Sequence, residues 1–167
     1  MPTFPINQAI SILQDVVDEW PQPLIDEMGA EDQTPFKILI ATILSLRTKD
    51  TTTAQVTPKL FALADNPVNM LKLTAQQIEQ AIYPVGFYRN KAASILQICQ
   101  KLIHDFSGEV PADLDKLLSL PGVGRKTANL VLTAGFGLPG ICVDIHVHRI
   151  SNRWGYVETK TPEKTEM

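Results

Sequence analysis

The sequence is poor in cysteine: Cys99 and Cys142 are the only two. They are too few for a disulfide scaffold and form no paired metal motif, so both read as buried small apolar groups in a reducing compartment. No uncharged apolar run approaches the roughly 18 residues of a membrane span. The N-terminus has no basic segment leading into an apolar stretch, so no secretory signal is indicated and the expected compartment is cytoplasmic. A surplus of basic charge is also missing, with 15 Lys and Arg against 18 Asp and Glu for a net charge of −3. That excludes a generally basic nucleic-acid binder and makes the distribution of charge matter more than its sum. Alternating strand-like runs bounded by turn residues are nearly absent.

What the chain does have is apolar residues at helical spacing, within a hydrophobic content of 44% that suffices for a core. The expected fold is all-α. A first amphipathic helix is predicted from about Ile6 to Trp20, ended by Pro21 and Pro23. A second starts at Thr34 as N-cap with Pro35 behind it and runs through Ile38, Leu39, Ile40, Ile43 and Leu44 as the central core helix. Further helices are predicted near 50–64, 75–83, 88–106, 113–120, 125–136 and 145–153. At the end, Thr161-Pro162-Glu163-Lys164 has the form of a helix start with no helix after it, which reads as a fragment or a disordered tail, a fragment being the favoured reading.

Residues 86–153 hold eight Lys and Arg against five Asp and Glu, while residues 1–85 hold five against ten. The positive segment contains Leu120-Pro121-Gly122-Val123-Gly124-Arg125-Lys126-Thr127-Ala128, set between two helical patterns. Two glycines around one apolar residue make a tight hairpin whose backbone can approach a ligand closely. The second helix then begins with amides that have no intrahelical partner at the positive end of its dipole, an anion site suited to DNA phosphate. A mononucleotide-binding P-loop does not fit, because Arg125 separates glycine from lysine and no strand precedes the glycines. A fainter echo of the same pattern, Val85-Gly86-Phe87-Tyr88-Arg89-Asn90-Lys91-Ala92, lies upstream.

Lys126 falls in the first turn of that helix, where the dipole and the neighbouring Arg125 disfavour a second positive charge. A neutral amine there is a nucleophile able to form a Schiff base; the alternative is a solvated lysine gripping phosphate. Asp144, in Val143-Asp144-Ile145-His146-Val147-His148-Arg149, is either the N-cap of the next helix or a carboxylate for proton transfer and charge stabilisation, and the two roles are compatible. His146 and His148 stand on nearly opposite helix faces and cannot chelate together. The spaced pairs Cys142 with His146 and Asp144 with His148 lack a visible third ligand, so no metal site is assigned.

The run from Leu120 to Leu132, the segment from Val143 to Arg149 and the stretch from Gly86 to Ala92 resemble endonuclease III, in the helix-hairpin-helix superfamily of base-excision DNA glycosylases, and the similarity covers nearly the whole chain. The resemblance implies a multi-helix glycosylase fold. It implies three parts: residues 1–21 as an N-terminal helix of the cluster-side domain, 22–142 as a helical domain with the helix-hairpin-helix at 113–136, and 143–167 as the start of a C-terminal part. It makes Lys126 the Schiff-base nucleophile and Asp144 the catalytic carboxylate of a bifunctional glycosylase and abasic-site lyase. Its implied substrates are oxidised or ring-saturated pyrimidines in double-stranded DNA.

DNA contacts are implied for Gly122, Val123, Gly124, Arg125, Thr127, His146 and Arg149, with Phe87 as the wedge beside the lesion and Arg47 filling the vacated space. Phe87 could equally be core, and Arg47 departs from the glutamine of the best-known bacterial members. The family carries four cysteines on a 4Fe–4S cluster that this chain lacks, so no cofactor is bindable here and a cluster is expected only in a longer protein. Without that part Ile10, Leu13 and Val17 of the first helix would be exposed. A monovalent cation at the hairpin, monomeric action and a nucleoid location complete the implied picture. Two competing readings remain: a non-catalytic DNA-binding module, and a glycosylase-fold fragment inactivated by truncation.

Overall fold

The computed structural model describes residues 4–17, 19–20, 22–31 and 33–167. Among them there are eleven helices and no strand, as the all-α reading requires. The chain divides into two units, residues 23–140 and residues 1–22 with 141–167.

The larger unit is organised by α3 (Pro35–Ser45). Thr34 caps it, its hydroxyl accepting from the Lys37 amide at 3.4 Å, and Pro35 occupies the first helical position. Eight of its eleven residues are buried, including Ile38, Leu39, Ile40 and Leu44 at 0% exposure. Ile and Thr are indifferent helix formers, so the helix is held by its neighbours: fully burying each Ile or Leu is worth about 1.5–3 kcal/mol.

Around α3 lie α2 (Leu24–Ala30), α4 (Asp50–Leu63), α7 (Tyr88–Phe106) and α9 (Arg125–Phe136), with α9 its most extensive partner. The short α5 (Pro67–Met70) and α6 (Ala75–Ile82) pack on α7, and α8 (Leu114–Leu118) packs on α9. Thr74 and Gln77 close a reciprocal capping box at the start of α6.

In the smaller unit, α1 (Ile6–Val17) stops three residues short of the predicted Trp20. Pro21, one of the two prolines predicted to end it, lies outside the described residues. No residue of α1 is buried, and Ile10, Leu13 and Val17 are 44–48% exposed, as expected. Asp144 starts α10 (Ile145–Arg153). The tail does form a helix where none was expected, α11 (Pro162–Glu166). Its Thr161 cap, Pro162 at the first position and a 2.7 Å hydrogen bond between Thr165 Oγ1 and His148 Nδ1 suffice for one turn packed on α10.

Candidate nucleic-acid interface and catalytic residues

The hairpin between α8 and α9 is anchored by Leu120 and Val123, 2% and 7% exposed. The Val123 amide closes the turn by donating to the Leu120 carbonyl at 3.2 Å. Val123 therefore shapes the hairpin; neither its side chain nor its N–H faces outward. Gly122 takes φ +74°, a conformation that favours glycine. Gly124 is different. Its φ of −95° suits any residue, and an added Cβ would meet nothing within 4 Å, so nothing inside the chain demands glycine there. It caps α9 without a side-chain hydrogen bond.

Lys126 is exposed in the first turn of α9, while Thr127 beside it is buried. Both line a cleft of about 230 Å³ together with Thr42, Ser45, Arg47 and Asp50. The sequence reading did not single out Asp50; its place at the first position of α4, where acids suit the helix dipole, gave no hint of a neighbouring lysine.

Arg47 and Phe87 come together. The guanidinium carbon of Arg47 sits 5.2 Å from the centre of the Phe87 ring, within cation–π range. Both residues have left-handed backbones, φ +55° and +57°, a conformation that costs a side-chain-bearing residue of order 1 kcal/mol or more. Phe87 is 59% exposed, which removes the reading of it as core. The upstream echo of the hairpin does not carry over to its lysine. Lys91 is buried, 7% exposed, and donates to the Leu44 carbonyl at 2.8 Å, the Leu46 carbonyl at 2.6 Å and Thr48 Oγ1 at 3.1 Å. Burial lowers its pKa to about 8.

In the other unit, Asp144 is the N-cap of α10, its Oδ1 accepting from the amides of His146 at 2.9 Å and Val147 at 3.0 Å. His146 and Arg149 lie three residues apart on one face of this helix, Arg149 Nη2 3.3 Å from His146 Nδ1, and both are exposed. His148 faces Thr165 and Asn152 instead.

Among the described residues no group of three or more His, Cys, Asp and Glu is placed to hold a metal ion. The cysteines do not fit an iron–sulfur cluster either. Cys99 is fully buried inside α7, its thiol pushed up to about 12 by burial, whereas a ligand must be a thiolate. Cys142 is half-buried, not buried as expected, because it lies in the extended segment before α10, outside any core helix.

The family described as HhH-GPD superfamily base excision DNA repair protein matches residues 40–167. The chain is 47% identical over 136 residues to endonuclease III of Thermotoga maritima, covering 81% of this chain and 64% of that protein. Against the Escherichia coli K12 endonuclease III it is 41% identical over 133 residues, covering 80% and 63%. The chain thus spans less than two thirds of these relatives' length. A solved structure of a non-covalent endonuclease III–DNA complex superposes with a TM-score of 0.86 at 35% identity, covering 99% of this chain and 75% of that one. A trapped endonuclease III–DNA covalent intermediate superposes with a TM-score of 0.84 at 34% identity, covering 99% and 76%. Helix order, hairpin and the extent of these matches together establish that the chain belongs to the endonuclease III family of the helix-hairpin-helix base excision repair superfamily.

Proposed function

We propose that this chain carries the DNA-binding and catalytic residues of a bifunctional DNA glycosylase and abasic-site lyase acting on oxidised pyrimidines in double-stranded DNA. The observation that carries the reading is the exposed Lys126, which lines the cleft with Thr42 and Thr127 from the first turn of the helix that the open glycine hairpin starts. A related solved structure is a trapped covalent endonuclease III–DNA intermediate, which supports covalent chemistry in the family.

Gly122 and Gly124 present backbone without side chains to one DNA strand, and the start of α9 receives a phosphate, with Arg125 adding charge. These contacts ignore sequence, which suits a search for damage. The lesion nucleotide leaves the stack, Phe87 wedges beside it and Arg47 fills the gap. His146 and Arg149 add phosphate contacts from α10.

Lys126 Nζ then forms a bond to C1′ as the C1′–N bond breaks, and the departing base keeps that electron pair and takes up a proton. Asp144 stabilises the positive charge that develops on the sugar and accepts the proton that the lysine nitrogen gives up. Opening of the sugar ring leaves an imine to Lys126. Loss of a C2′ proton then expels the 3′ phosphate by breaking the C3′–O bond, and water releases the enzyme by hydrolysing the imine. Asp144 remains the N-cap of α10 throughout, so the helix fixes the carboxylate's position.

Borohydride reduction with abasic-site DNA tests this reading. Covalent trapping that disappears in Lys126→Ala supports it. DNA affinity with no trapping in the wild-type chain would replace it with a non-catalytic hairpin binding module.

A further inference from the structure

Lys91 has no part in the chemistry above, yet the fold keeps a charge buried there. Lys91 belongs to the first turn of α7, and burial of its ammonium disfavours the charged form through desolvation. An apolar side chain of similar length would be cheaper to bury. The three groups it binds indicate what the charge is kept for.

Leu44 belongs to the last turn of α3 and Leu46 is its C-cap, so two of the acceptors are carbonyls at the end of that helix. Capping alone would be satisfied there. The third bond goes to Thr48 Oγ1, and the same oxygen accepts from the Gly86 amide at 3.2 Å. Arg47 therefore sits between two residues tied to Lys91, and Phe87 follows one that is tied to it through Thr48. Phe87 is also bound at its other side, its carbonyl accepting from the Lys91 amide at 3.0 Å. The two turns touch without slack: a Cβ on Gly86 would lie 2.9 Å from the Arg47 carbonyl oxygen. Both tips hold positive φ, a conformation that persists only where surrounding contacts enforce it.

We infer that Lys91 is a positioning residue for DNA entry, its ammonium locking the Arg47 turn and the Phe87 turn into one two-pronged element that inserts into the duplex as a unit. The inference rests on the proposed insertion of Arg47 and Phe87. It assigns Lys91 to holding the prongs, with no contact to the substrate.

A double-mutant cycle separates this role from a merely structural one. The probe is a duplex bearing one tetrahydrofuran abasic-site analogue, and the readout is the ratio of its affinity to that of the unmodified duplex, measured with the full chain. Lys91→Met lowers this ratio about tenfold, within the range expected for coupling inside one hydrogen-bonded network, and Thr48→Val, which removes the hydroxyl shared by Lys91 and the Gly86 amide but leaves the Lys91 bonds to the Leu44 and Leu46 carbonyls, lowers it about threefold. In the Arg47→Ala/Phe87→Ala background neither change lowers it further, while any loss of thermal stability from Lys91→Met persists.

If Arg47→Ala/Phe87→Ala itself leaves the ratio unchanged, the prong reading fails and the inference falls with it. If that variant loses the ratio while Thr48→Val keeps it, the prongs stand and the role of Lys91 is overturned, whether or not Lys91→Met folds. Losses that add in full to those of Arg47→Ala/Phe87→Ala overturn it as well.

Discussion

The Arg47 guanidinium carbon lies 5.2 Å from the centre of the Phe87 ring, on two turns whose central residues both hold positive φ. The pair is at the surface, Phe87 being 59% exposed. A side chain that buries so little contributes little to folding, so the ring is free to serve the DNA wedge role proposed for it. Phe87→Ala is expected to change stability by less than about 1 kcal/mol while weakening selection of abasic-analogue DNA over intact duplex. Thermal unfolding and titration with both duplexes check the two halves.

The glycines divide in a way that unfolding can read. Gly124→Ala meets nothing inside the chain and keeps an allowed backbone, so it is expected to leave stability within about 0.5 kcal/mol of wild type or to raise it. On the proposed hairpin contact its DNA affinity should fall, because the methyl group would stand where the strand backbone approaches. Gly86→Ala places a Cβ 2.9 Å from the Arg47 carbonyl, and overpacking of this kind costs about 1–3 kcal/mol. The denaturant midpoint should therefore fall for Gly86→Ala and stay level or rise for Gly124→Ala.

Asp144 is expected to show its two roles separately. Asparagine caps as well as aspartate, so Asp144→Asn should preserve α10, whereas Asp144→Ala should cost about 1 kcal/mol through the lost bonds to the His146 and Val147 amides. Both should lose covalent trapping on abasic DNA. Circular dichroism with a trapping assay distinguishes the cases; full trapping by Asp144→Asn would remove the carboxylate from the chemistry.

Lys91 predicts a pH dependence of stability. Burial lowers its pKa from 10.5 to about 8, so between those values the unfolded chain holds a proton that the folded chain has lost. The group's contribution to stability therefore rises with pH across that window. Chemical denaturation should show the stability of wild type rising relative to that of Lys91→Met from about pH 8 upward. A relative fall over that range would contradict the burial cost assigned to the ammonium.

The long helices were legible because their apolar spacing repeats over several turns, and Thr34 with Pro35 marks the start of α3 in the letters alone. Helices α2, α5 and α11 have only seven, four and five residues, over which periodicity registers weakly, although the equally short α8 fell within the predicted 113–120. The end of α1 was misplaced for lack of any cap signal before the prolines. At the candidate site, the hairpin and the helix starts that carry Lys126 and Asp144 were readable from glycine placement and N-cap chemistry. The inward set of Val123 was not readable, because one apolar residue between glycines gives no face. Nor was the network around Lys91, whose bond to Leu44 joins positions 47 apart and depends on packing that no local pattern records.

The most direct measurement is the identity of the residue that bonds to DNA. After borohydride reduction of the wild-type chain on abasic-site duplex and proteolysis, mass spectrometry should find the sugar adduct on Lys126, in the first turn of α9. An adduct on Lys91, on any other lysine or on the N-terminal amine would contradict the assignment of Lys126 as the nucleophile.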